Sequence, residues 1–352
     1  MDYKNFFEEL VDTLIREDGS DLHLSSGRVP AVRVNGELVF LMSREPLKQV
    51  DLEGILKAIL SEEQHNNFLK SQGLDFSFEH KSGARLRGNA FIQQGKFAVV
   101  LRLVPHVKTL AELNLPSSLA DFARKRQGFF LVVGPVGQGK SATMAAMVSL
   151  INEEKQAHIL TIEDPVEYVY EQKKSIIDQR EIGIDSADFS DALKGAFRQD
   201  VNVILIGEMR NPETIGTAVT AAETGHLVLS TLHTNTASQT IDRIIDSFPA
   251  SQQDQIRVQL ASSLIGVFSQ RLVPRISGGR IPAYELMINN NAISNLIREK
   301  RTHEIDTVIE TGFEQGMVDM NRSLVELVRA GEITVENAFA YSVNPKNLER
   351  LL

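Results

Sequence analysis

Eight residues, Gly134-Pro135-Val136-Gly137-Gln138-Gly139-Lys140-Ser141, constrain this chain more than any others. They fit the pattern G-x-x-x-x-G-K-[ST], follow an apolar run at 129–133 and precede a helix-like stretch rich in Ala and Met. In that context the segment reads as a phosphate-binding loop. Its glycines let the backbone curl so that successive N–H groups converge on phosphate oxygens, Lys140 neutralises charge at the β and γ positions, and the Ser141 hydroxyl can ligate Mg²⁺. An ordinary glycine-rich strand-to-helix turn is the plain alternative, and the strand, loop and helix in their proper order weigh against it.

A chain of 352 residues has material for two domains with a sizeable core. Hydrophobic residues at 42% and charged residues at 24% exclude disorder and a membrane-protein composition. The absence of cysteine excludes disulfides and thiolate metal sites. No apolar run approaches a bilayer span, and the acidic start lacks the charged-then-apolar order of a signal peptide, so a cytoplasmic protein with no transmembrane segment is expected. A net charge of −9 argues against a mainly nucleic-acid-binding surface.

The texture changes along the chain. Residues 3–17 carry Phe6, Phe7, Leu10, Val11 and Leu14 at helical spacing. From 21 to about 104 come short alternating segments, including 31–34 before the hairpin signal Asn35-Gly36, then 76–78, 85–92 and 97–104. This predicts a small α+β domain at 1–105, built on an antiparallel sheet. A linker at 106–116 leads into a second domain at 117–352. There the apolar runs 129–133, 158–162, 203–206 and 227–232 read as parallel strands buried on both faces, hence a doubly wound α/β sheet with a nucleotide at the strand C-termini. Beyond Pro282 the pattern turns helical, at 292–300, 319–330 and 335–341, predicting a helical tail of the same domain from about 290.

Three clusters bear on what the loop is for. Thr161-Ile162-Glu163-Asp164-Pro165-Val166-Glu167 puts carboxylates at the end of a buried strand, where they are costly unless they meet a metal, a water or a cation. A Glu near a γ-phosphate can polarise an attacking water. The segment from Val203 to Arg210 is an apolar strand ending in Glu208, in the manner of a Walker B acid that holds Mg²⁺ directly or through water. The third cluster has a histidine at each end of a strand, His226 and His233. Taken singly, each has a plain reading: an acid after a strand is often a helix cap, and a strand-end histidine is often structural.

In this order with the loop, the clusters resemble the Walker A, Asp box, Walker B and His box of the secretion ATPase superfamily. The resemblance is strongest to the type IV pilus retraction ATPases of the PilT type, the twitching motility proteins. It spans essentially the whole chain, from Gly19-Ser20-Asp21-Leu22-His23-Leu24 through Gln179-Arg180-Glu181-Ile182-Gly183 to the tail segment Ala292-Ile293-Ser294-Asn295-Leu296-Ile297-Arg298-Glu299. It implies a PAS-like N-terminal domain, a RecA-like P-loop ATPase domain with a helical tail, and a homohexamer. Such a ring would sit beneath an inner-membrane platform protein at the pilus base, where it couples hydrolysis of ATP with Mg²⁺ to pilus retraction. A paralogous retraction ATPase is a further implied partner.

Carried onto this chain, the resemblance assigns ATP binding to Gly134, Gly137, Gln138, Gly139, Lys140, Ser141 and Ala142. It assigns Mg²⁺ to Ser141 and Glu208, general-base work to Glu163, and phosphate sensing to His233 and His226. Arg85, Arg87 and Arg102 match family arginines that reach the nucleotide; an equally good reading is solvent-facing strand residues. The chain departs from the family at Val136, Gln138 and Ala142 in the loop, none of which removes a group that phosphate chemistry requires, and at Gln94, which stands where an Arg is frequent and removes one possible cation from the N-terminal domain. A poorly active auxiliary retraction paralogue and a pilus assembly or secretion ATPase stand as alternatives. A nucleic-acid motor fits the acidic balance less well.

Overall fold

In the computed structural model, which describes residues 2–34, 36–209 and 211–352, the chain divides into two units, the first ending at His106 and the second beginning at Val107. Asn35 of the hairpin signal and Arg210 after the second acidic cluster lie outside the described residues.

The first unit is a six-stranded sheet: β1 (Asp21–Ser25), β2 (Ala31–Val34), β3 (Glu37–Phe40), β4 (Gly73–Glu79), β5 (Arg85–Gln93) and β6 (Lys96–Leu103), in the order β3-β2-β1-β6-β5-β4. Every pairing is antiparallel. The helix Tyr3–Arg16 starts where the Asp2 side chain accepts from the Asn5 N–H, and it buries Phe7, Leu10, Val11 and Leu14 in one core with Leu22, Leu86, Val99 and Leu101 of the sheet. Helices Gln49–Ile59 and Glu62–Ser71 interrupt the stretch that reads as alternating segments. The first hides a helical stripe of only three residues, Leu52, Ile55 and Leu56. The second buries Phe68 alone and owes its start to a Ser61/Gln64 capping box.

The second unit is a seven-stranded sheet: β7 (Gly128–Val133), β8 (His158–Glu163), β9 (Ile176–Glu181), β10 (Val203–Ile206), β11 (Leu227–Leu232), β12 (Leu264–Pro274) and β13 (Arg280–Ile288), in the order β13-β12-β7-β11-β10-β8-β9. All neighbours are parallel except β12 and β13. β7, β10 and β11 are buried along their whole length. Phe129, Leu131 and Val133 point into one packed layer while Phe130 and Val132 point into the other, so continuous apolar runs are what a sheet covered on both faces requires.

The helical pattern expected beyond Pro282 begins later, because β13 runs on to Ile288 and the next helix is Asn291–Arg298. Pro282 is tolerated there because β13 is the sheet's edge strand. Among the described residues no helix is long and apolar enough to cross a membrane.

The helix Asn291–Arg298 lays Ile293, Leu296 and Ile297 into the core of the second unit. It is also tied to the helix Ala250–Ser263 by Ser294 Oγ donating to the Ala261 carbonyl (3.0 Å) and Arg257 Nη1 donating to the Ile297 carbonyl (3.2 Å). Ile297→Ala is therefore expected to destabilise the protein by about 2–5 kcal/mol. Chemical denaturation measures this, and a loss below about 1 kcal/mol would mean the stripe is not packed as described.

Candidate nucleotide-binding site

Parallel strands bring their C-terminal ends to one edge of a sheet, and the chain uses that edge. The loop after β7, Glu163 at the end of β8, Glu208 after β10 and His233 after β11 all line one cleft of about 570 Å³. Hydrogen bonds across strand ends hold β11 against β10: Ser230 Oγ donates to the Ile206 carbonyl (2.8 Å) and Thr231 Oγ1 to the Gly207 carbonyl (2.6 Å).

The loop is curled by backbone conformations that a side chain would oppose. Gly134 has φ +147°, and a Cβ there would stand 2.4 Å from the Gln270 carbonyl oxygen. Gly139, at φ +82°, is the left-handed residue from which the helix Lys140–Glu154 starts, so the N–H groups of Ser141 and Ala142 belong to that helix's positive end. Lys140 is only 7% exposed and folds back onto the loop, donating to the carbonyls of Gly134 (2.7 Å) and Pro135 (2.9 Å). Burial lowers its pKa, against the opposing pull of Glu208 and Glu167. Val136 is exposed.

Glu208 and Glu163 line the same cleft as this cation. Glu208 Oε2 lies 3.3 Å from His233 Nε2, and His233 Nδ1 lies 3.3 Å from Lys140 Nζ. With the ammonium donating to Nδ1, the ring proton belongs on Nε2 and is donated to Glu208. Glu163 is buried and accepts from Thr161 Oγ1 (2.6 Å), Gln179 Nε2 (3.3 Å) and the Glu167 N–H (3.4 Å). Burial pushes its pKa above the ordinary carboxylate value and outweighs those hydrogen bonds, which makes it a stronger base than a solvated carboxylate once ionised.

His226 does not join this group. It precedes β11, so the whole strand, about 20 Å of extended chain, separates it from His233. Its Nδ1 faces the Ala221 carbonyl (3.0 Å) and its ring meets Phe197 edge-on. Arg85, Arg87 and Arg102 belong to the first unit, where Arg87 and Arg102 stand opposite each other on β5 and β6. Arg102 Nε donates to Asp21 Oδ1 (2.8 Å), and Arg85 lies 3.8 Å from Glu79.

Sequence reasoning missed Gln270, Leu272 and Arg280, which come from β12 and β13. Leu272 and Arg280 line the cleft, and Gln270 supports its loop. No local spacing connects Gln270 with a loop 132 positions earlier; only the parallel pairing of β12 with β7 does. A second missed group is Glu285 of β13, buried, which accepts from the Ala237 N–H (2.8 Å) at the start of the helix Ala237–Asp246, just after His233.

A model of the Type II/IV secretion system protein family matches residues 98–340. The "Type IV pilus retractation ATPase PilT" of Pseudomonas aeruginosa is 43% identical over 340 residues, covering 96% of this chain and 98% of that protein. The type IV pilus ATPase PilU of the same organism is 36% identical over 348 residues, covering 98% and 91%. The crystal structure of the pilus retraction motor PilT with bound ADP aligns with a TM-score of 0.90 at 43% identity, covering 97% of this chain and 98% of that one.

Glu285 gives the site's support a pH dependence. Burial raises its pKa to about 7; Asp306 and Asp319 add to the rise, and the Ala237 N–H and Arg271 oppose it. An acid whose folded pKa exceeds its unfolded value stabilises the fold fully below the unfolded pKa. That contribution is lost as pH rises from about 4.5 through 7, by roughly 3 kcal/mol in all. Glu285→Gln keeps an acceptor for Ala237 and removes the titration. In denaturant melts between pH 5 and 8, the variant should gain stability relative to the parent as pH rises; a pH-independent difference would refute the assignment.

Proposed function

The chain belongs to the Type II/IV secretion system protein family, and we propose that it is an ATP-hydrolysing motor that powers type IV pilus retraction as a ring of six subunits. The observation that carries this reading is the convergence of Lys140, His233, Glu208 and Glu163 at one strand edge. It is supported by near-full-length similarity to proteins named for pilus retraction. The first unit is read as the PAS-like domain and the second as a RecA-like ATPase domain with its helical tail. The ring sits at the cytoplasmic face of the inner membrane, against a platform protein.

In this reading the loop N–H groups and Lys140 bind the β- and γ-phosphates. The ammonium exchanges the carbonyls of Gly134 and Pro135 for phosphate oxygens, a stronger, charge-assisted partnership. Glu163 accepts the proton of the attacking water, and its raised pKa suits it to that work. His233 stands between Lys140 and Glu208, so a change at the phosphate is relayed to the end of β10. The cleft fits Mg²⁺ in kind, because the Ser141 hydroxyl and the Glu208 carboxylate are hard oxygen donors on its wall. When bound, the ion would neutralise phosphate charge.

The principal-motor reading is favoured over an auxiliary one, because the departures at Val136, Gln138 and Ala142 leave every one of these groups in place. Lys140→Ala should abolish phosphate release, and normal turnover in that variant would overturn the site. Glu163→Gln should retain ATP binding and lower kcat by about 10²-fold or more. Cells deleted for the gene and complemented with Lys140→Ala should extend labelled pili without retracting them. Retraction at the parental rate would sink the motor assignment.

A further inference from the structure

β12 outruns its neighbour. Its pairing with β7 ends at Ser269–Val133, yet β12 continues to Pro274, and the phosphate loop meets this extension at Gln270 and Leu272. Two amides make that contact. The Gln270 side chain, 3% exposed, donates through Nε2 to the Gln138 carbonyl (2.8 Å) and accepts through Oε1 from Thr143 Oγ1 on the loop's own helix (2.6 Å). In return, Gln138 Oε1 accepts from the Leu272 N–H (2.6 Å).

We infer that Gln138 and Gln270 form a reciprocal amide staple that holds the phosphate loop on β12 before nucleotide arrives, with Gln270 acting as a positioning residue for nucleotide affinity. A serine at 138 would be too short to meet the Leu272 N–H. Gln270 also fits because its neighbours at the loop are glycines: Nε2 lies 3.0 Å from where a Cβ on Gly139 would stand. A loop already ordered loses less conformational entropy on binding, so the staple favours binding rather than chemistry. The inference rests on the nucleotide site proposed above.

The test compares Gln138→Met, Gln270→Met and the double variant in the full-length protein. Fluorescent ADP titrations and steady-state ATP hydrolysis are the readouts, together with hydrogen exchange at the Leu272 amide without nucleotide. Gln138→Met should weaken ADP binding and raise KM about 3–10-fold, the scale of one neutral hydrogen bond, with kcat at saturating ATP changed by less than about 2-fold. Gln270→Met, which loses two bonds, should weaken binding by more. The double variant should fall well short of the product of the single effects, because the two side chains share one unit. Leu272 should exchange faster in Gln138→Met, whether or not nucleotide binds.

Unchanged affinity in the folded single variants, a fall in kcat at constant affinity, or multiplicative effects would each overturn the staple. If Gln270→Met does not fold, Gln138→Met, altered at a half-buried loop position, decides alone by the same criteria. A parent protein that binds no ADP would instead refute the proposed function. The Leu272 exchange rate still tests the staple in that case.

Discussion

A buried ammonium has to be paid for, and the architecture of the second unit follows from how Lys140 is satisfied. Removed from water at the end of β7, it has the carbonyls of Gly134 and Pro135 and the ring nitrogen of His233 as partners, with Glu208 one hydrogen bond further on. None of these can be supplied unless the loop curls tightly and β11 and β10 end beside it. The glycines meet the first condition. The second is met by a parallel sheet whose central strands are apolar on both faces and so admit only one depth of burial.

The same logic explains the placement of Glu163. A carboxylate at the end of a buried strand is disfavoured, and the Thr161 hydroxyl and Gln179 amide recover only part of the cost, leaving a raised pKa. Burial thus leaves Glu163 holding a proton more tightly than a solvated carboxylate does. Glu285 shows the complementary case. It is buried away from the cleft, spends its acceptor on the Ala237 N–H, and thereby anchors the segment that follows His233.

β12 and β13 form the least anticipated part of the unit and carry much of its connectivity. Gln270 and Leu272 of β12 meet the loop, while Arg271 between them donates to the Tyr341 carbonyl in the C-terminal helices. Alternation along one strand therefore joins the phosphate loop to the tail. In the helix Asn291–Arg298 the apolar stripe is occupied by packing, so any contact it makes with a partner must come from its polar face.

What the sequence by itself determined was local. The loop at 134–141 is legible because its conformation and its chemistry reside in the same eight residues, and the strands at β7, β8, β10 and β11 are legible because burial on both faces leaves mostly apolar runs without alternation. The helix Tyr3–Arg16 shows through its 3.6-residue period. β13 was obscured by Pro282, which looks like a strand breaker until the strand is known to lie at an edge. Only the tertiary structure decided which residues meet. His226 and His233 flank one strand and look equivalent in sequence, but a strand has two ends and a parallel sheet gathers only one of them at the cleft. Gln270 carries no mark of its role, because the hydrogen bonds that define it cross 132 positions of chain and exist only once β12 has docked beside β7.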